Sequence, residues 1–453
     1  MFQKSPFKNH NLILTATAVI LAIVGLITIF STTYNATNIT QGKGLFGKQI
    51  VLLGIGFVVY IVITFFDYRW FKDLKVLGLI YIFTLFLLLY VKFFTPEISE
   101  TNRWIQVGPI TIQPAEYAKI TVVLITSSIL GFSEIINEKY QFKKPNTLPK
   151  AIRVFIATHP YLSKIFLSLI LISPIILLVL AQPAFGNTII IALLWGSLVL
   201  FFYPDKKELV ALVILFLIAF SVGWKLFIGG GFGWFISIIV TIVGLNAIYW
   251  TFRPKIVESV IILILGFSIV PISLFGWNKI MRDYQKERVE TFLDPSKDPQ
   301  GTGWQVKQSK IAIGSGRVFG RGYMQGTQSG LKLLPYPHTD FIFAAFAEQF
   351  GFVWSAALIL ILVSLPLQIF FIADDHTDKY ATILASGVGT MLLIHIFINV
   401  GMNLGKLPVT GIPLPLISSG GSSVLVTMIL LGIVQNTLKF QYEEKNVRRV
   451  GYK

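Results

Sequence analysis

Two groups of residues in this chain have the types and spacing that chemistry requires. The first lies between Trp277 and Phe341, a polar, glycine-punctuated stretch in an otherwise apolar sequence. There the carboxylates Asp283, Glu287, Glu290, Asp294 and Asp298 are interleaved with the cations Arg282, Lys286, Arg288, Lys307, Lys310, Arg317 and Arg321. That mixture of signs is what chemistry on a charged substrate at a membrane surface would need. The second group is Glu116 and Lys119 in QPAEYAKI, three residues apart and so on one helical face. Pro114 suits a first helical turn, where the helix dipole favours the Glu116 carboxylate. Ionisable groups at membrane depth default to function, although a mutually neutralising pair that eases insertion has the same spacing.

Other polar sets have plainer readings. His395, Asn399 and Asn403 are spaced by four and stack on one face. With no nucleophile or metal set beside them, they read as ties between helices. Gly405 to Ser423, GKLPVTGIPLPLISSGGSS, cannot form a straight lipid-facing helix, so its backbone breaks where protein or water satisfies it. A cavity wall and close packing of small residues both fit. Before the run that starts at Phe341, Thr339 or Asp340 reads as an N-cap.

These residues need a scaffold, and composition says which. The 453 residues are 54% hydrophobic and 13% charged, against about 25% charged in soluble domains. This implies an all-α polytopic membrane protein, a single domain over 1–453. Candidate spans lie near 11–33, 49–66, 74–94, 115–133, 166–182, 187–203, 208–228, 232–252, 257–277, 341–372, 379–403 and 413–438, about twelve in all. The first lacks a cleavage site and reads as retained. There is no cysteine, which removes disulfides and thiolate metal sites. The net charge of +16 does not imply nucleic acid, because Lys and Arg concentrate in alternate loops, as the positive-inside rule expects with both termini cytoplasmic. The loop at 133–164 is then cytoplasmic and the large loop at 278–340 extracytoplasmic. The mixed charges of the large loop fit a phosphorylated substrate better than simple attraction to headgroups.

The strings NRWIQVGPITIQPAEYAK, YQKERVETFLDPSKDPQGTGW, QSKIAIGSGRVFGRGYMQGTQ, HTDFIFAAFAEQFG and LPVTGIPLPLISSGGSS resemble those of the SEDS family (shape, elongation, division and sporulation), and its elongation branch of RodA type more than its division branch of FtsW type. The resemblance implies a peptidoglycan glycosyltransferase of the bacterial plasma membrane that polymerises lipid II on the outer face. Its partners would be lipid II, undecaprenyl-pyrophosphate-linked glycan, a class B penicillin-binding protein and the elongation machinery. A lipid II flippase, or a scaffold for the partner synthase, is the alternative. Carried over by motif, the essential loop aspartate falls on Asp298, the general base, and the Glu and Lys of QPxExxK fall on Glu116 and Lys119. His338 matches the start of HTDF. Lys119 with some of Arg282, Arg288, Arg317 and Arg321 would stabilise the leaving pyrophosphate. No His/Asp/Glu spacing specifies a metal, so a divalent cation (Mg or Mn) would be held partly by the pyrophosphate. The chain departs from the family at Ala184, where PDLGT has an acid, at Tyr336, where a glutamate is expected, and in span number, the family usually having ten.

Overall fold

Inside a bilayer only hydrogen bonds within a segment satisfy the backbone, so this composition forces helices. The computed structural model describes residues 10–34, 39–95, 103–108, 110–131, 160–182, 184–204, 283–294, 298, 301–331 and 333–451, with isolated positions between 206 and 264. Numbered among these, the longer helices are α1 Leu12–Thr33, α2 Ile39–Phe65, α3 Leu74–Phe94, α4 Pro114–Gly131, α5 Pro160–Ala181, α6 Phe185–Phe201, α7 Asp283–Leu293, α8 Thr302–Ser315, α9 Ile342–Asp375, α10 Lys379–Asn403 and α11 Gly421–Gly451. Among the described residues, seven (α1, α2, α3, α5, α9, α10, α11) are long and apolar enough to cross a membrane, and α6 is a shorter apolar helix. The expected spans near 208–228, 232–252 and 257–277 lie almost wholly outside the described residues.

The chain divides into two compact units, Met1–Lys144 with Leu167–Leu198 and Arg288–Lys453, and Pro145–Phe166 with Val199–Glu287. In the second, Tyr161 packs edge-on against Tyr203 and donates to the Val199 carbonyl at 2.9 Å. In the first, α4 is buried against α3, α10 and α11, while α1 lies on α2 and α9 and α8 lies on α9.

Three features differ from the sequence reading. Asn102–Ile120 does not run straight into a span. Ile105–Val107 and Ile110–Ile112 pair as an antiparallel hairpin, turned at Gly108 with φ +58°, so the chain is not purely helical. The last helix starts at Gly421, not near 413. The span expected at 341–372 is two helices, broken at Gly351 (φ 78°, ψ −174°). The residues at 317–322 cross that break. Arg321 and Gly322 N–H donate to the Glu348 and Gln349 carbonyls at 3.0 Å each, and the Arg317 and Val318 carbonyls accept from Phe352 and Val353 at 2.9 and 3.2 Å. Two of the carbonyls and two of the N–H groups that the break exposes are thereby satisfied.

Gly351 combines a backbone region open essentially to glycine with a site where any Cβ would strike the Gly320 amide. Gly351→Ala is expected to destabilise the protein by about 2 kcal/mol or more, read as a lowered melting temperature in detergent. A melting temperature equal to wild type would show that the break tolerates a side chain.

Candidate active site

The large loop builds a groove from three elements. Arg288 of α7 donates to the Val409 carbonyl at 3.1 Å, and with Thr302, Gly303 and Lys310 of α8 and Gly405 beyond α10 it lines a cleft. Asp298 sits at the edge of this cleft, above the N-terminus of α8. One carboxylate oxygen accepts from Gly301 N–H at 2.7 Å, and the other from Thr302 N–H at 2.5 Å and the Thr302 hydroxyl at 3.2 Å. A Cβ at Gly301 would collide with both oxygens, so only glycine lets the backbone approach this closely. Burial pushes the Asp298 carboxyl up, but the donors of Gly301, Thr302 and Gly303 outweigh it and hold the group below the usual carboxylate range. It is ionised at neutral pH, with few of its roughly four lone-pair sites left. Asp294 lies exposed just past α7.

The HTDF turn forms the next layer. Thr339 and Asp340 are not the N-cap of α9. That position is Phe341, and no side chain of its own caps the helix. The acceptor comes from another helix, where the Asn403 amide oxygen takes the Ala344 N–H at 3.1 Å. The Asn399 and Asn403 amides both donate to the Asp340 carbonyl at 3.0 Å, and Asn399 also donates to Ile412 at 2.8 Å. Asn403 ties α10 to α9, as expected of a tie between helices, and both asparagines also hold loop carbonyls. Burial raises the Asp340 carboxyl to about 6, against the pull of Arg288 and Arg103. His338 is pushed down by burial, and its carbonyl accepts from Ser419 N–H at 2.8 Å.

Within the bundle, Lys119 is 0% exposed and pairs with Glu116 at 2.8 Å. It also donates to Asn187 Oδ1 at 3.2 Å and contacts His395 Nε2 at 3.0 Å. The ammonium therefore meets protein on every side. His395, expected only as a helix tie, belongs to this charge cluster. In Gly405–Ser423, Gly405, Pro408 and Val409 line the groove, as the cavity-wall reading expects, while Ile412, Leu414 and Ile417 are buried.

Two of the expected cations are not brought to the groove. Arg317 and Arg321 follow α8, whose 14 residues separate them from Asp298 by about 20 Å. Arg321 instead binds the Ser315 carbonyl and the Thr327 hydroxyl at 3.3 and 2.9 Å. Arg282 lies outside the described residues. Sequence reasoning missed Asn187, Arg103 and Glu348. The last is fully buried and accepts from Gln328 N–H (2.7 Å), Ser329 N–H (3.0 Å) and the hydroxyls of Thr327 and Ser329 (3.2 and 2.9 Å). A lone carboxylate in an apolar run was its signal. Among the described residues no three His, Cys, Asp or Glu side chains gather to hold a metal.

A carboxyl depressed in the folded state contributes stability that is present above the unfolded pKa, about 4, and lost as pH falls through the folded value. The melting-temperature gap between wild type and Asp298→Asn should therefore narrow as pH drops below about 4. A gap independent of pH would remove the ionised carboxylate from the α8 cap.

The family model for FtsW, RodA and SpoVE, described as cell cycle protein, matches residues 11–230 and 230–443. The chain is 31% identical to peptidoglycan glycosyltransferase MrdB of Escherichia coli over 87% of its own length and 86% of the relative's. It is 30% identical to peptidoglycan glycosyltransferase RodA of Treponema pallidum over 94% and 97%. Two solved structures share the fold. One is a chain of a peptidoglycan synthase complex (TM-score 0.61, 22% identity, 96% of this chain and 98% of that one). The other is the rod shape determining protein RodA of Thermus thermophilus (TM-score 0.55, 21% identity, 96% and 98%). With these matches running nearly end to end, the chain belongs to the FtsW/RodA/SpoVE family of polytopic membrane proteins.

Proposed function

We propose that this protein is a peptidoglycan glycosyltransferase that polymerises lipid II on the outer face of the plasma membrane, alongside a class B penicillin-binding protein. Both termini would be cytoplasmic. The observation that carries the reading is the ionised Asp298 at the edge of a groove holding Arg288 and Lys310. In the reaction a sugar hydroxyl attacks an anomeric carbon. The new glycosidic C–O bond forms as the bond to the lipid pyrophosphate breaks, with inversion. Asp298 takes the hydroxyl proton, and Arg288 and Lys310 receive the negative charge that develops on the leaving pyrophosphate. The donors on Asp298 make it a modest base but fix its direction, and α8 presents its N-terminus to the same anionic region. The relatives named peptidoglycan glycosyltransferase support the activity, and the likeness to a synthase complex chain is consistent with a penicillin-binding partner.

A base contributes about a hundred- to ten-thousandfold to rate. Asp298→Asn should lose that much polymerisation while still binding lipid II, and Asp294→Asn should lose far less. Equal activity in the two variants would move the base elsewhere. For the topology, reporters fused at Lys297 and Lys453 should report outside and inside respectively; a cytoplasmic signal at Lys297 would overturn the site's placement.

A further inference from the structure

The Lys119 ammonium has three N–H donors and no lone pair, and the structure supplies three acceptors from three helices. Glu116 on α4 is an anion at 2.8 Å. Asn187 on α6, at 3.2 Å, and His395 on α10, at 3.0 Å, are neutral acceptors. All four side chains are buried, none more than 7% exposed. Opposite an ammonium, His395 Nε2 must be a bare acceptor, so a neutral ring carries its proton on Nδ1. Nδ1 makes no well-formed hydrogen bond, although the Pro413 carbonyl lies near enough to act on the ring.

The cluster connects to the site above it. His395, Asn399 and Asn403 follow one another every four residues, about 6 Å of helical rise each. The second and third of them hold the Asp340 carbonyl. On the α6 side, a Cβ at Gly186 would lie 2.7 Å from the Thr410 carbonyl, so the helix that brings Asn187 also packs on the segment that lines the groove. Ala184, where the family shows an acid, is buried and apolar. The polar contact to Lys119 from this stretch comes from Asn187.

We propose that His395 and Asn187 are positioning residues that hold the Lys119 ammonium about one helical turn below the HTDF turn, from where it serves the anionic end of the substrate. Because both are neutral, Glu116 is the one counter-charge in contact with Lys119 among the described residues, and Asn187 makes the longest of the three contacts. The proposal rests on the glycosyltransferase reading for its kinetic consequence but not for the state of the histidine. Lys119→Ala is a poor probe, since it strands a buried Glu116; His395 can be varied without leaving a charge unpaired.

The test uses the full-length chain in lipid vesicles with labelled lipid II. Leucine at 395 fills space without an acceptor, whereas glutamine restores one. His395→Leu should lower kcat about 10- to 100-fold, the worth of a hydrogen bond to a charged group, with KM for lipid II within about threefold. His395→Gln should stay within about threefold of wild type in kcat. Equal losses in both variants, or full activity in His395→Leu, would overturn the proposal. Nitrogen-15 spectra of histidine-labelled protein give the second readout. One of the five histidines, identified by its loss in His395→Gln, should be neutral and protonated on Nδ1, and a doubly protonated ring would also overturn the proposal. If wild type makes no polymer, the glycosyltransferase reading fails, and the spectrum alone then decides whether His395 accepts from Lys119.

Discussion

A backbone that leaves the helical path inside an apolar bundle has no water to bond with, so every interruption must be matched by a donor or acceptor brought from elsewhere. The architecture around the candidate site follows from that requirement. The chain breaks its helices after α10 and again within α9, and both breaks lie against the large loop. Asn399 and Asn403 satisfy carbonyls of the HTDF turn and of the post-α10 segment. Ser418 donates to the Thr339 carbonyl at 2.7 Å. At Gly351 the loop itself supplies the missing partners. The groove is thus framed by irregular backbone whose hydrogen bonds are met by named groups.

Electrostatics is arranged in two layers. Near the groove, Asp298 is held ionised by backbone donors, while burial raises the Asp340 carboxyl against the opposing charges of Arg288 and Arg103. Two carboxylates with separated proton affinities, beside cations, suit a reaction that moves a proton and expels an anion. Deeper down, a complete charge pair is buried. Pairs of that kind stabilise little in themselves, because desolvation offsets their attraction. Its three-helix set of acceptors therefore argues for positional control of Lys119.

The sequence made the chemistry legible where spacing alone determines contact. Glu116 and Lys119 pair as their i, i+3 spacing says, and the asparagines at 399 and 403 tie elements together. Asp298 was singled out by resemblance alone; the close approach of Gly301 to its carboxylate is a finding of the structure. What local pattern does not hold is which distant segments meet. Nothing near Lys119 specifies Asn187, 68 residues on, or His395, 276 residues on. The cap of α9 was assigned to Thr339 or Asp340 because a cap is normally local, whereas Asn403 reaches it from 59 residues away. Gly351 was hidden in an apolar run, where a glycine reads as tolerated within a helix. Arg317 and Arg321 looked like site residues only because loop cations are indistinguishable until α8 fixes which end each occupies.

The central claim is that the loop and bundle together perform glycosyl transfer, as opposed to moving lipid II or merely anchoring a synthase. The most direct measurement incubates purified protein in vesicles, alone and with a class B penicillin-binding protein whose own activity is blocked, with labelled lipid II, and resolves the products by length. The account predicts glycan polymer whose formation depends on this chain. Movement of label across the vesicle membrane without polymer, or no change in the label at all, would contradict it.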